Sequence, residues 1–251
     1  MGSMNHPFPM HIFRAYDIRG KVSLLGAGII DAIAHGLAQQ YQAAGQTRVA
    51  IGYDARISSP AFADIIARIF KDYSLEATII GCCSSPMLYF TARQFDGNGI
   101  MVTASHNPKE DNGIKWIIDG EPPCPEMIQQ VAQLAKSHCD SQLLGLAELP
   151  HQIIPEFCLQ YQQGILEDIQ LKRSFKVILD GLHGSAGRCA DLVLRKMGCE
   201  VTALRCEANG HFPDHAPDPS QDKHLETLRQ TVMQQQADLG IALDGDGDRL
   251  V

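Results

Sequence analysis

The run "ALDGDGDR" (242–249) sets Asp244, Asp246 and Asp248 at alternate positions, with Gly245 and Gly247 between them. Three carboxylates this close repel one another unless a cation stands among them. The glycines let the backbone turn sharply enough for all three to face one centre. An all-oxygen donor set suits a hard cation, Mg²⁺ or Ca²⁺, and not zinc. An EF-hand calcium loop would share the D-x-D-x-D opening. Against it, Arg249 stands where that loop needs glycine, no glutamate follows, and a strand pattern leads in. A solvated acidic turn is the plain alternative. Three carboxylates leave room in a Mg²⁺ shell for a phosphate oxygen or a water, which phosphoryl-transfer sites require.

"TASHNP" (103–108) directly follows the apolar run "GIMV" (99–102). Pro108 cannot continue a ladder and biases Asn107 toward an extended backbone. Ser105 and His106 are therefore expected on a loop at a strand end, where α/β proteins keep their chemistry. A serine beside a histidine invites a hydrolase reading. Adjacent residues rarely reach the required geometry, however, and no G-x-S-x-G elbow is present. "FRAYDIRG" (13–20) offers Arg14, Tyr16 and Arg19 in a segment read as a loop. Two guanidinium forks suit a phosphate, with incidental surface charge as the alternative. Lys115, in "NGIKW", lies on the strand returning from the Ser105 loop. Arg249 abuts the carboxylates and would pair with them or with a bound phosphate.

Strands and helices must alternate to position these loops. Helical periodicity covers 28–42, and "RVAIGYD" (48–54) reads as a buried strand. A helix follows "SSP", with Ser59 as N-cap and Pro60 at the first helical position. Further strands are expected at 76–81, 99–105 and 112–119, and helices at 85–95 and 125–138. Residues 139–154 lose periodicity. A second unit then alternates a helix near 155–171, strands at 175–180, 200–205 and 238–244, and helices at 186–198 and 223–236. This rhythm predicts an α/β fold of two tandem α/β/α domains with mixed, mostly parallel sheets. Domain I is placed at 5–140, a linker at 141–154 and domain II at 155–251. "MGSM" reads as a tag scar. "RLV" at the end looks like the start of another strand, so the second domain is expected to be incomplete.

With 251 residues, 45% of them hydrophobic and 20% charged, the chain suits a soluble globular protein of two domains. A net charge of −8 and a pI near 5.6 disfavour nucleic acid or an anionic membrane as partner. No apolar run reaches membrane length, and no signal-peptide layout opens the chain. The eight cysteines form no C-x-x-C pair and read as reduced thiols, which points to the cytoplasm.

Taken in order, "FRAYDIRG", "TASHNP" with "NGIK", and "DGDGDR" closely resemble the α-D-phosphohexomutase family. The first motif is similar to that of its bacterial phosphomannomutase/phosphoglucomutase branch, and "DGLHGSAG" (180–187) and "GHFPDHAPDPS" (210–220) resemble second-domain loops. The resemblance implies that Ser105 carries the transferable phosphoryl group. It implies that Asp244, Asp246 and Asp248 hold one Mg²⁺, with the Ser105 phosphoryl supplying a further oxygen. Arg19 and Lys115 then match acid/base or electrostatic contributors, and His106 matches a neighbour of the phosphoserine. Tyr16, Arg14 and Arg249 fall among substrate- or phosphate-binding groups. The implied reaction interconverts hexose 1- and 6-phosphates through a hexose 1,6-bisphosphate, which also serves as activator.

Family members resemble one another in having four domains. The sugar-selecting loop of the third and the phosphate-gripping loop of the fourth have no counterpart in this sequence. The expectation is therefore little or no turnover by this chain alone, with self-association or a complementing C-terminal chain as partner beside the phosphohexose. A catalytically silent metal- and phosphate-binding module and a slow phosphatase are the competing readings.

Overall fold

The computed structural model describes residues 8–138 and 146–251; the expected tag scar, the start of domain I and the first part of the linker lie outside these. Two sheets organise the chain. The first holds β1 (Ile18–Lys21), β2 (Arg48–Tyr53), β3 (Glu76–Cys82), β4 (Gly99–Val102) and β5 (Asp111–Ile117), in the order β1-β5-β4-β2-β3. β2 runs parallel to β3 and β4, whereas β5 lies antiparallel to both β4 and β1. The second sheet, β7-β6-β8, is wholly parallel and comprises β6 (Lys176–Asp180), β7 (Glu200–Leu204) and β8 (Leu239–Ala242).

Helices cover both faces. On the first sheet, α1 (Ala27–Ala43), α2 (Ser59–Asp72) and α4 (Pro125–His138) bury one face around Ile33, Ile51, Phe62, Ile114 and Trp116. The other face, with Ala50, Ile80 and Met101, is covered by α3 (Ser85–Ala92) and by Phe157, Cys158 and Tyr161 of α5 (Pro155–Asp168). On the second sheet, alternation along β6 sends Val177 and Leu179 toward α6 (Gly187–Lys196), and Ile178 toward α7 (Glu226–Gln235). α5 thus packs on α3 through Phe90 and Tyr161, and on α6 through Gln162 and Lys196. Among the described residues no helix is long and apolar enough to cross a membrane.

Several local expectations need correction. "FRAYDIRG" is not all loop: Ile18–Lys21 pairs with β5, and Gly113 permits this because a Cβ there would lie 2.3 Å from the Ile18 carbonyl oxygen. The strand expected at 99–105 stops at Val102: the Thr103 N–H still donates to the Gly113 carbonyl at 3.0 Å, but the Ser105 N–H turns back to Thr103 Oγ1. Ser59 does not cap α2 but is its first residue; its hydroxyl donates to Asp54 Oδ1 at 2.8 Å. The helix expected at 85–95 ends at Ala92 in a 3₁₀ turn, and α7 is preceded by a 3₁₀ turn at Asp222–Leu225. The 146–154 segment has no regular element, yet Ile153 bridges to Gly81 and so covers the outer edge of β3. Leu250 and Val251 fold back antiparallel onto the end of β8.

Two half-buried histidines tie stability to pH. Burial is the main cause holding His35 and His215 below the ordinary histidine value. His215 Nε2 must accept, because its partner at 2.8 Å is Arg205 Nη1, which can only donate. In the unfolded chain both rings protonate near pH 6.5, whereas the folded chain resists. Stability is therefore full above that pH and lost as pH falls toward the depressed folded values. The thermal midpoint is expected to drop on going from pH 7 to pH 5.5, less so in His35→Gln; an unchanged dependence in that variant would count against the assignment.

Candidate functional site

In each sheet, two neighbouring parallel strands send their C-terminal loops in opposite directions, which opens a crevice. In the first sheet these strands are β2 and β4, followed by Asp54 and by Ser105. In the second they are β6 and β8, followed by Asp180 and by Asp244. The two crevices face each other. Ser105 Oγ donates to Asp244 Oδ2 at 2.6 Å across the junction.

Ser105 is fully buried and has a φ of 52°, the left-handed region that a residue with a Cβ enters only when its surroundings impose it. Its N–H donates to Thr103 Oγ1 at 2.8 Å, and its carbonyl accepts from Arg56 Nη2 at 2.8 Å. His106 Nδ1 lies 3.3 Å from Ser105 Oγ, but that nitrogen accepts from Arg249 Nη1 at 2.9 Å. Burial and then Arg249 hold the ring below the ordinary histidine value, so it is a neutral acceptor here. The Ser105 proton points to Asp244 instead.

The carboxylate loop closes tightly, with Asp244 N–H donating to the Arg249 carbonyl at 3.1 Å and Gly247 in the left-handed region. Ligand oxygens of Asp244, Asp246 and Asp248 lie within 4.8 Å of one another. Burial first, and then the Asp246 charge, push the Asp244 carboxyl up to about 7. Burial acts the same way on Asp246, but Lys115 and the hydroxyl of Ser85 outweigh it, and its net displacement is downward. Lys115 Nζ reaches Asp246 Oδ2 at 3.0 Å and Asp248 Oδ2 at 2.9 Å. Ser85 Oγ donates to Asp246 Oδ2 at 2.6 Å, from the first turn of α3. Asp246 Oδ1 is buried with no partner among the described residues. An orphaned carboxylate oxygen within a triad of converging oxygens fits a hard divalent cation.

The structure therefore brings Ser105, His106, Lys115, Asp244, Asp246, Asp248 and Arg249 together. Arg19 reaches the same loop by donating to Asn107 Oδ1 at 2.8 Å, and it pairs with Asp17. Arg14 and Tyr16 stand exposed on the turn before β1 and take part in none of these contacts. Asp54, Arg56 and Ser85 escaped the sequence reading. "GYDARISS" follows a strand in the same manner as "TASHNP", so a charged pair at a strand end was the available signal.

Two α/β/α units that set a strained serine hydroxyl against a carboxylate triad define the class of fold and site. The family description "Phosphoglucomutase/phosphomannomutase, alpha/beta/alpha domain I" matches residues 10–140, and "domain II" of the same family matches residues 159–251. A phosphomannomutase/phosphoglucomutase from Pseudomonas putida is 36% identical over 244 residues, which cover 96% of this chain and 52% of the relative. A phosphoglucomutase from Neisseria meningitidis is 34% identical over 244 residues, covering 95% and 52%. The crystal structure of a phosphoglucomutase/phosphomannomutase family protein from Burkholderia thailandensis superposes with a TM-score of 0.85 at 29% identity, covering 96% of this chain and 54% of that one. The chain belongs to the phosphoglucomutase/phosphomannomutase family. It spans about half the length of the curated relatives it matches.

Proposed function

We propose that the chain carries the chemical half of a hexose phosphate mutase, with Ser105 as the covalent phosphoryl carrier. The observation that carries this reading is the Ser105 hydroxyl, fixed in the left-handed region and held 2.6 Å from a carboxylate of the Asp244–Asp246–Asp248 triad. Membership of a family whose named relatives are phosphomannomutases and phosphoglucomutases supports it. The two separate sheets support domain limits of 5–140 and 155–251, joined by 141–154.

A hydroxyl of a hexose monophosphate attacks the phosphorus of phosphorylated Ser105. The bond from phosphorus to Ser105 Oγ breaks as the bond to the sugar oxygen forms, and the Ser105 oxygen takes a proton in exchange for the one the sugar loses. The resulting hexose 1,6-bisphosphate turns over and returns its other phosphoryl group to Ser105. Lys115, Arg19 and Arg249 place positive charge around the three equatorial oxygens. Asp244, Asp246, Asp248 and the oxygen on Ser105 would hold Mg²⁺, which when bound supplies further positive charge against those oxygens. His106, as a neutral acceptor beside Ser105, is placed to hold a proton at Nδ1 once Arg249 turns toward phosphate. Tyr16 and Arg14, both exposed, would meet the sugar phosphate.

The test is incubation with glucose 1,6-bisphosphate and Mg²⁺, read by intact mass. Gain of one phosphoryl group by the wild-type chain, none by Ser105→Ala, and its return to glucose 1-phosphate or mannose 1-phosphate are expected. Release of inorganic phosphate without return would favour the phosphatase, and no uptake would overturn the reading.

A further inference from the structure

The backbone of Ser105 is held by a closed ring of side chains that lies outside the carboxylate site. Thr103 Oγ1 accepts from the Ser105 N–H and donates to Asp54 Oδ2 at 2.8 Å. Asp54 Oδ2 also accepts from Arg56 Nε at 3.0 Å. Arg56 Nη2 then donates to the Ser105 carbonyl, which completes the ring. Both main-chain groups of the strained serine are thus pinned by side chains that share one carboxylate.

Arg56 extends this hold along the whole loop. Besides Ser105, its Nη2 donates to the Asn107 carbonyl at 2.8 Å, and its Nη1 to the carbonyls of Pro108 at 2.6 Å and Asp111 at 2.9 Å. A guanidinium has five N–H donors, and all five are engaged, four on carbonyls of the 105–111 segment and one on Asp54. The group is 1% exposed, so this arrangement does not compete with solvent.

The second unit closes the face of that guanidinium. Phe212 is buried, with its ring centroid 5.4 Å from Arg56 Cζ. Gly210 lets the loop approach, since a Cβ there would lie 2.2 Å from the Ala55 carbonyl oxygen.

Resting on the phosphoserine reading above, we propose that Arg56 is a positioning residue for phosphoryl transfer. It sets the angle of Ser105 by serving four carbonyls at once, under a lid formed by Phe212. Its part is geometric rather than electrostatic. Its charge is matched by Asp54, and its donors point at the main chain rather than at the phosphoryl position. Lysine keeps the charge and can pair with Asp54, but it has three donors and no planar fork.

Phosphoryl uptake by Ser105 is measured on the full chain with acetyl phosphate, a donor that needs no sugar grip, and with glucose 1,6-bisphosphate. Mg²⁺ affinity is measured beside it by calorimetry. Arg56→Lys is expected to slow uptake from both donors about 10²-fold at saturation, the scale of a misplacement near 1 Å. The half-saturating donor concentration and the Mg²⁺ affinity are expected to stay within about threefold, below what loss of one charge-assisted hydrogen bond would produce. A wild-type rate in Arg56→Lys, or a loss visible only as a raised half-saturation, overturns the proposal. Phe212→Leu, which leaves every hydrogen bond in place, covers the case in which Arg56→Lys does not fold. A several-fold slowing supports the lid and an unchanged rate overturns it. If the wild-type chain takes up no phosphoryl group, the phosphoserine reading has failed, and this inference with it. Uptake by the wild type with no defect in either variant defeats the inference alone.

Discussion

Gly245→Ala is expected to slow phosphoryl uptake by Ser105 about 10²-fold while the chain stays folded. A Cβ at position 245 would lie 2.4 Å from the Ser105 carbonyl oxygen and 2.9 Å from Pro217 Cγ. The Ser105 side cannot yield, because Arg56 and Thr103 already fix its carbonyl and its N–H. The carboxylate loop must retreat instead, and the 2.6 Å bond between Ser105 Oγ and Asp244 opens. Gly245 has no left-handed φ, so the effect comes from contact alone. Uptake rate and thermal midpoint are measured together. A wild-type rate, or a chain that no longer folds, would contradict this account.

Lys115→Met is expected to destabilise the metal-free chain by about 3–5 kcal/mol, as when one partner of a buried ion pair is removed. Asp246 is fully buried, and Lys115 together with Ser85 is what meets its charge. The loss is expected to be largely recovered by Mg²⁺. Binding to the folded state alone contributes about 2.7 kcal/mol at a hundred times the dissociation constant. The wild-type chain should gain less from the same Mg²⁺, because there the cation would compete with a lysine already seated on two of the three carboxylates proposed to hold it. Denaturant unfolding of both chains, in chelator and in Mg²⁺, reads this directly. Equal Mg²⁺ gains in the two chains would show that Lys115 and the cation do not share Asp246 and Asp248.

The pieces of the site that were legible in the sequence are those confined to a few consecutive residues. Three aspartates alternating with glycines, and a serine held between a strand and a proline, state their chemistry locally. The alternation of helices and strands was equally visible, because each carries its own pattern over 4 to 17 residues. β1 was not visible, because only one of its four residues is strongly apolar and its pairing is set by the later Gly113. The end of β4 was misread because Thr103 and Ala104 look like strand residues, and only the left-handed turn at Ser105, whose N–H folds back to Thr103 Oγ1, shows otherwise. Asp54, Arg56 and Ser85 reach the site through partners 49 to 161 residues away, and spacing along a chain cannot report such contacts. Ser59 reads as a helix cap until Asp54, five residues earlier, claims its hydroxyl.

α5 lies against α3 on one side and α6 on the other, and this has a bearing on how the chain is made. Synthesis runs from the N-terminus, so the first sheet and its helices α1 to α4 leave the ribosome before α5 does. During that interval the face formed by Ile80, Cys83, Met87 and Met101 lacks the cover that Phe157, Cys158 and Tyr161 later provide. The first unit is thus born with one side covered by α3 alone. Its cover arrives on a helix that the second unit also uses, which makes α5 the point where two nascent units become one cooperative body.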